Sequence, residues 1–181
     1  MFEFKTDFGM IRYFENIKLG ESNYPVYKGE IKQNGKENWI TCAVKKLIIQ
    51  TKKGDMRINQ GVNIFKKLKH KHVVEYYDSE IITISNKNYM HICMELFDAS
   101  MKDSVDYRKG IKKEKMGKNL DQIIKWLQPR NKFIILKQVV SGLEYLHEKN
   151  DDKNPIVHFN LKPANILLKM TNNPFNGIII V

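Results

Sequence analysis

The sequence predicts an α+β fold, strand-rich in its first half and mainly helical in its second. Three observations carry this. Runs rich in β-branched and aromatic residues recur at Ile17–Ile31, Glu37–Ile49, Val73–Ile84 and Asn88–Leu96, the composition of half-buried strands. One stripe at helical spacing, Ile58, Val62, Phe65 and Leu68, interrupts them between Gly54 and Lys69. A stronger one spans Asn131 to Glu148, where Phe133, Ile134, Leu136, Val139, Val140, Leu143, Tyr145 and Leu146 form a wide apolar face.

Composition limits the classes of function. At 181 residues and 42% hydrophobic, the chain can build one large domain or two small lobes. No apolar run approaches the ~18–20 residues a bilayer span needs, and Met1–Tyr13 lacks the apolar stretch of a signal peptide. Cys42 and Cys93 sit in strand-like runs, so both read as reduced core residues and the expected location is cytoplasmic. The formal charge of +11 comes almost wholly from lysine. Those lysines are scattered and no aromatic-interleaved RNA signature accompanies them, so a solvated surface is expected, without nucleic acid or membrane as partner.

The stretch His158–Leu168, H-F-N-L-K-P-A-N-I-L-L, resembles the catalytic loop H-R-D-L-K-P-x-N-[IV]-L-L of the eukaryotic protein kinases, matching eight of eleven positions in register. Asn160 stands where that family places its catalytic Asp, Lys162 lies between, and Asn165 takes the position of the metal-binding Asn. An amide can orient a hydroxyl but cannot accept its proton near neutral pH. Phe159 replaces the Arg that reads a phosphorylated activation loop.

The remaining elements follow in order under that resemblance. Ile17–Ile31 resembles the first kinase hairpin, but only Gly20 of its three glycines survives; Ser22 takes the second position and Pro25 falls near the third. Glycine lets backbone N–H groups approach phosphates, whereas proline has no N–H to give, so a poor phosphate cradle is expected. Val26 and Ala43 would line the nucleotide. Cys42-Ala43-Val44-Lys45 resembles V-A-I-K, which makes Lys45 the phosphate-contacting lysine. Leu68-Lys69-His70-Lys71-His72-Val73-Val74 resembles the end of helix C, and the family's spacing puts its ion-pairing Glu at Gly61. Gln60 is the available substitute acceptor. His70 and His72 have no carboxylate or cysteine nearby in sequence, so a structural role is expected over metal. Tyr89–Phe97 resembles the strand entering the hinge, with Met94 as gatekeeper, Glu95 offering its carbonyl to adenine and Phe97 its N–H and C=O. The next helix is expected to turn Met101, Val105 and Tyr107 inward.

Lys109–Lys118 reads as a solvated basic insertion. Ser141-Gly142-Leu143-x-Tyr145-Leu146-His147 matches the helix before the catalytic loop, and Ile166–Lys169 with Gly177–Val181 reads as a closing hairpin, Leu167 lining the nucleotide. The expected division is an extension at 1–16, a small lobe and hinge at 17–97 and a partial large lobe at 98–181, ending just before D-F-G would fall. M-E-L, A-S-M and the catalytic loop resemble most the stress-sensing kinase–endoribonucleases and RNase L.

The resemblance implies a kinase-like domain without phosphoryl transfer: a pseudokinase that binds protein as regulator, scaffold or decoy, the partner being another kinase or a second copy. ATP binding is expected to be weak at most. Mg²⁺ is not expected without the D-F-G Asp, Asn165 being its remaining ligand. The alternative is the N-terminal part of a Ser/Thr kinase that transfers the ATP γ-phosphate to protein, with D-F-G supplied beyond this chain.

Overall fold

The computed structural model describes residues 1–20, 24–50, 52–111, 120–128, 131–149, 154–170 and 178–180. The chain divides into two compact units, Met1–Leu68 with Glu75–Leu96, and Lys69–Val74 with Phe97–Val181. The fold class is α+β, as the sequence predicts.

The first unit is a six-stranded antiparallel sheet in the order β1-β2-β3-β4-β6-β5. Its strands are β1 (Phe2–Lys5), β2 (Gly9–Gly20), β3 (Val26–Gln33), β4 (Ile40–Ile49), β5 (Tyr76–Ile84) and β6 (Lys87–Glu95). The register places Phe2 opposite Tyr13 and Phe4 opposite Ile11, then Ile11 opposite Ile31 and Tyr27 opposite Val44. Because side chains alternate across a strand, these residues with Cys42 and Cys93 share one face and form its core. Helix α1 (Lys52–Phe65) covers part of the other face, packing Val62, Ile58 and Phe65 near Met90, Ile92 and Leu47. Ser85 and Asn86, at φ of 48° and 60°, make the β5–β6 turn, as a two-residue hairpin with both central residues left-handed requires.

Residues 1–16 were expected to precede the lobe. They are instead built into its sheet, because Phe2, Phe4, Ile11 and Tyr13 alternate in phase with the core and all but Phe2 are buried there. Thr6 closes the β1–β2 turn by accepting the amides of Phe8 (3.2 Å) and Gly9 (3.0 Å), and it donates to Asp78 Oδ2 of β5 at 2.5 Å. The sheet therefore curls until its two edge strands meet.

The second unit contains β7 (Ala99–Ser100), α2 (Met101–Arg108), α3 (Leu120–Trp126), α4 (Lys132–His147), β8 (Ile166–Leu168) and β9 (Ile178–Ile180). Strand β8 pairs with β7 on one side and β9 on the other. The hairpin read at the C-terminal end is thus β8–β9; its turn lies outside the described residues, as does most of the basic insertion. Ile123, Leu127, Val139 and Leu168 form the core, flanked by Ile135 and Leu143. Ser100 caps α2, its hydroxyl accepting the Asp103 amide while the Asp103 carboxylate accepts the Ser100 amide, a reciprocal capping box. Ser104 is buried on α2, while Val105 and Tyr107 are exposed. The expected inward Val105 and Tyr107 are corrected: the Ser104 hydroxyl bonds the Met101 carbonyl at 2.7 Å and can enter the interior satisfied. On α4 the buried side is Val139 and Leu146, leaving Phe133, Leu136 and Val140 exposed at i, i+3, i+7. No described helix is long and apolar enough to cross a membrane.

Candidate nucleotide and catalytic site

In the first unit, Gly20 lies opposite Val26, and Val26 opposite Lys45. Ala43 pairs with Lys28 on one side and Met94 on the other. Val26, Ala43 and Lys45 therefore share the sheet face opposite the aromatic core, and Lys45 pairs with Ile92 of β6. The strand exit is fixed by Pro25, whose carbonyl accepts the Lys46 amide at 3.0 Å; Pro25 itself has no N–H to offer a phosphate. Ser22 lies outside the described residues.

Burial pushes the Lys45 ammonium below its ordinary pKa, as expected for a charge moved out of water without compensation. Among the described residues no carboxylate forms an ion pair with it; the pairs present are Arg12–Glu30, Lys46–Glu15 and Lys102–Asp106. On α1, Gln60 and Gly61 are exposed, and a Cβ built on Gly61 meets no atom within 4 Å. Room for a side chain is present at Gly61, and the side chain is not.

At the end of β6 the Glu95 amide donates to the Glu75 carbonyl at 2.9 Å. In the second unit, Phe97 leaves its backbone N–H and C=O without partners among the described residues, and the Lys169 ammonium lies 5.7 Å from its ring centroid. Asp98 fastens the following backbone: its amide donates to the Leu168 carbonyl at 3.0 Å and its Oδ2 accepts the Met170 amide at 2.8 Å. That tie, absent from the sequence reading, holds β8 to the hinge exit; its only signal was an acidic residue just after the hinge.

The catalytic loop is a tight, strained turn. Phe159 has φ of 56° and is 92% exposed, an uncommon conformation for a bulky residue. The Asn160 amide donates to the His158 carbonyl at 2.7 Å, and burial lowers the His158 pKa. Asn165 donates Nδ2 to the Asn160 carbonyl at 2.8 Å, and its own amide donates to the Lys162 carbonyl at 2.8 Å through the 3₁₀ turn Pro163–Asn165. Asn160 and Asn165 are thus brought together as the sequence spacing implied. Asn160 and Lys162 are exposed. Leu167, opposite Ser100 and Ile179, positions the loop together with buried Leu168. His70 stacks on Tyr145 and meets His72 edge-on at 5.5 Å between centroids.

The protein kinase domain pattern matches residues 13–179. This chain belongs to the protein kinase domain family. A probable serine/threonine-protein kinase WNK6 from Oryza sativa subsp. japonica is 31% identical over 159 residues, covering 87% of this chain and 31% of the relative. A putative cysteine-rich receptor-like protein kinase 31 from Arabidopsis thaliana is 28% identical over 184 residues, 96% of this chain and 23% of its own length. Cyclin-dependent kinase 14 from Oryctolagus cuniculus is 29% identical over 167 residues, 91% of this chain and 30% of the relative. The kinase chain spans less than a third of each of these relatives.

A kinase domain implies ATP and Mg²⁺ in general. Within the first unit, the apolar Val26 and Ala43 share a sheet face with Lys45, a combination that would suit a nucleotide base and phosphate oxygens; ATP would supply a transferable phosphoryl group. The fit to a metal is poor. Asn165 brings one amide oxygen, and among the described residues no group of three His, Cys, Asp or Glu side chains stands together, whereas Mg²⁺ is ordinarily held by one or two carboxylates.

Proposed function

We propose that this kinase-like chain is a pseudokinase: a protein-binding regulator, scaffold or decoy that transfers no phosphate by itself. The observation that carries the reading is Asn160, an amide that cannot act as a base where the resemblance implies the catalytic Asp, with its backbone carbonyl held by Asn165 Nδ2 at 2.8 Å. Lys45 without a carboxylate partner among the described residues supports it, since an ordered Lys–Glu pair is a requirement of the active state. ATP binding is weak in this reading, because Pro25 offers the phosphates no N–H, and Asn165 holds no Mg²⁺. The location is cytoplasmic and the partner a protein, another kinase or a second copy.

The test is a radiolabelled-ATP transfer assay on generic protein substrates with the purified chain and Lys45→Ala. No transfer above that of the variant supports the reading; turnover that disappears in Lys45→Ala overturns it. Relatives of which this chain covers less than a third favour a second reading, a segment of a longer Ser/Thr kinase. The same assay on the longest product of the gene distinguishes the two, since transfer restored by additional residues selects the second. The kinase–endoribonuclease resemblance draws nothing from these relatives, which are named for other kinase groups.

A further inference from the structure

A cavity of about 180 Å³ opens in the second unit, lined by Met101, Ser104, Val105, Arg108, Leu127 and Ile135. Its wall is almost wholly aliphatic. Ser104 adds no free polar group, because its hydroxyl is spent on the Met101 carbonyl at 2.7 Å. Arg108 is the exception. Its Nη2 donates to the Leu127 carbonyl at 2.5 Å, which fixes the guanidinium at the rim, while the residue stays exposed and forms no ion pair among the described residues. A planar guanidinium has five donors, so this one keeps most of its fork for a carboxylate.

Among the described side chains from 101 to 137 the charge leans positive: Lys102, Arg108, Lys109, Lys125 and Lys137 outnumber Asp103, Asp106 and Asp121. The described acids nearby are already engaged: Asp103 in the α2 cap, Asp106 with Lys102 at 3.0 Å, and Asp121 with the Tyr107 hydroxyl at 2.9 Å.

We propose that this cavity is a docking site for an acidic protein segment, which inserts one aliphatic side chain between α2 and α4 and sets a neighbouring carboxylate on Arg108. The concave aliphatic wall selects this class of partner. A cavity of that volume admits a leucine-sized group, which a nucleic-acid backbone does not carry, and a lipid surface would call for an exposed apolar ridge instead of a hollow. Charge complementarity supplies encounter, and the buried anchor supplies specificity. The site is independent of whether the chain transfers phosphate.

The test is fluorescence anisotropy of the purified chain with a fluorescein-labelled nonapeptide in which one Leu is flanked by Asp and Glu. Companion probes are the same peptide with Leu→Ser, its Lys-flanked counterpart, a single-stranded oligonucleotide, and vesicles with a phosphatidylserine fraction. The acidic Leu peptide is expected to bind at least tenfold tighter than the Ser and Lys peptides. Binding is expected to weaken at least tenfold in Arg108→Glu and in Val105→Asp, whose exposed position spares the core. Circular dichroism and thermal melting of both variants separate lost binding from lost fold; should Arg108→Glu not fold, Val105→Asp and the Leu→Ser peptide decide. Absence of peptide binding, indifference to Leu→Ser, or unchanged binding in a folded variant overturns the proposal. Oligonucleotide or vesicle binding that Arg108→Glu abolishes while the peptide stays unbound also overturns it.

Discussion

His70 lies flat against Tyr145, ring centroids 4.8 Å apart and planes 9° from parallel, while the Tyr145 hydroxyl accepts the Lys69 amide at 2.9 Å. The segment Lys69–Val74, which follows α1 in sequence, is fastened by this contact to α4. Tyr145→Phe keeps the ring and removes the acceptor, so it should cost about 0.5–1.5 kcal/mol, the usual net worth of one hydrogen bond. Tyr145→Ala loses the stacking as well and should cost about 3 kcal/mol. Urea unfolding followed by far-UV circular dichroism measures both, and equal costs for the two variants would show that the ring contributes nothing.

His91 gives the pH dependence. It is fully buried among Phe2, Phe4 and Tyr13, its Nε2 3.3 Å from the Tyr13 hydroxyl. Burial, reinforced by the Lys46 charge, lowers its pKa from 6.5 to about 4. Between these values the unfolded chain binds a proton that the folded chain refuses, so stability rises with pH across that window and is lost as pH falls through it. The slope from His91 is at most about 1.4 kcal/mol per pH unit. His70 and His158 are shifted the same way and add to it. His91→Phe should flatten the profile between pH 6.5 and 4 in denaturant titrations; an unaltered slope would remove His91 from the account.

Two glycines should respond oppositely to the same methyl group. At Gly29 a Cβ would lie 2.6 Å from the Arg12 carbonyl and 2.8 Å from Val44 Cγ2, so Gly29→Ala overpacks the sheet core and should cost about 1–3 kcal/mol. At Gly61 the space is open and the residue is mid-helix in α1, so Gly61→Ala should stabilise by about 0.5–1 kcal/mol. Thermal melts of the pair suffice, and a loss of stability at Gly61 would mean that its bareness is needed.

The exposed side of α4 concerns solution behaviour. Phe133 is 81% exposed, with Leu136 and Val140 beside it at 57% and 52%, a contiguous apolar patch of the kind that drives association. Light scattering at tens of micromolar should show larger species that Phe133→Glu with Leu136→Lys shifts toward monomer. A wild-type chain that stays monomeric and binds no hydrophobic dye would show the patch to be inert.

The sequence made the catalytic loop and the strand lysine legible because their signals are local: fixed spacings inside one turn or one strand. Asn160 and Asn165 meet within one loop, and Lys45 lies in β4 opposite Val26. The contribution of Phe2 and Phe4 was not read, since alternation over four residues is short and becomes meaningful only against Ile11 and Tyr13 across the hairpin. The inward face of α2 was misread for a related reason. Its apolar residues lack a clear stripe, and a serine that satisfies itself on Met101 outcompetes Val105 for the interior. The Tyr145–His70 contact joins residues 75 positions apart, beyond the reach of any spacing rule.

The bond between Thr6 and Asp78 has a consequence for how the chain behaves in a crowd of its own copies. A sheet with free margins is a template on which another molecule's strand can continue the ladder. Here β1 supplies one margin and β5 the other, and the Thr6 hydroxyl draws them together over a buried carboxylate. Loss of the first eight residues would remove that clasp and expose the hydrogen-bonding groups of β2, a long strand that carries Ile11, Tyr13, Phe14 and Ile17. Such a shortened chain would be expected to lay down fibrils seeded from β2, so the amino-terminal strand acts as the molecule's guard against polymerising with itself.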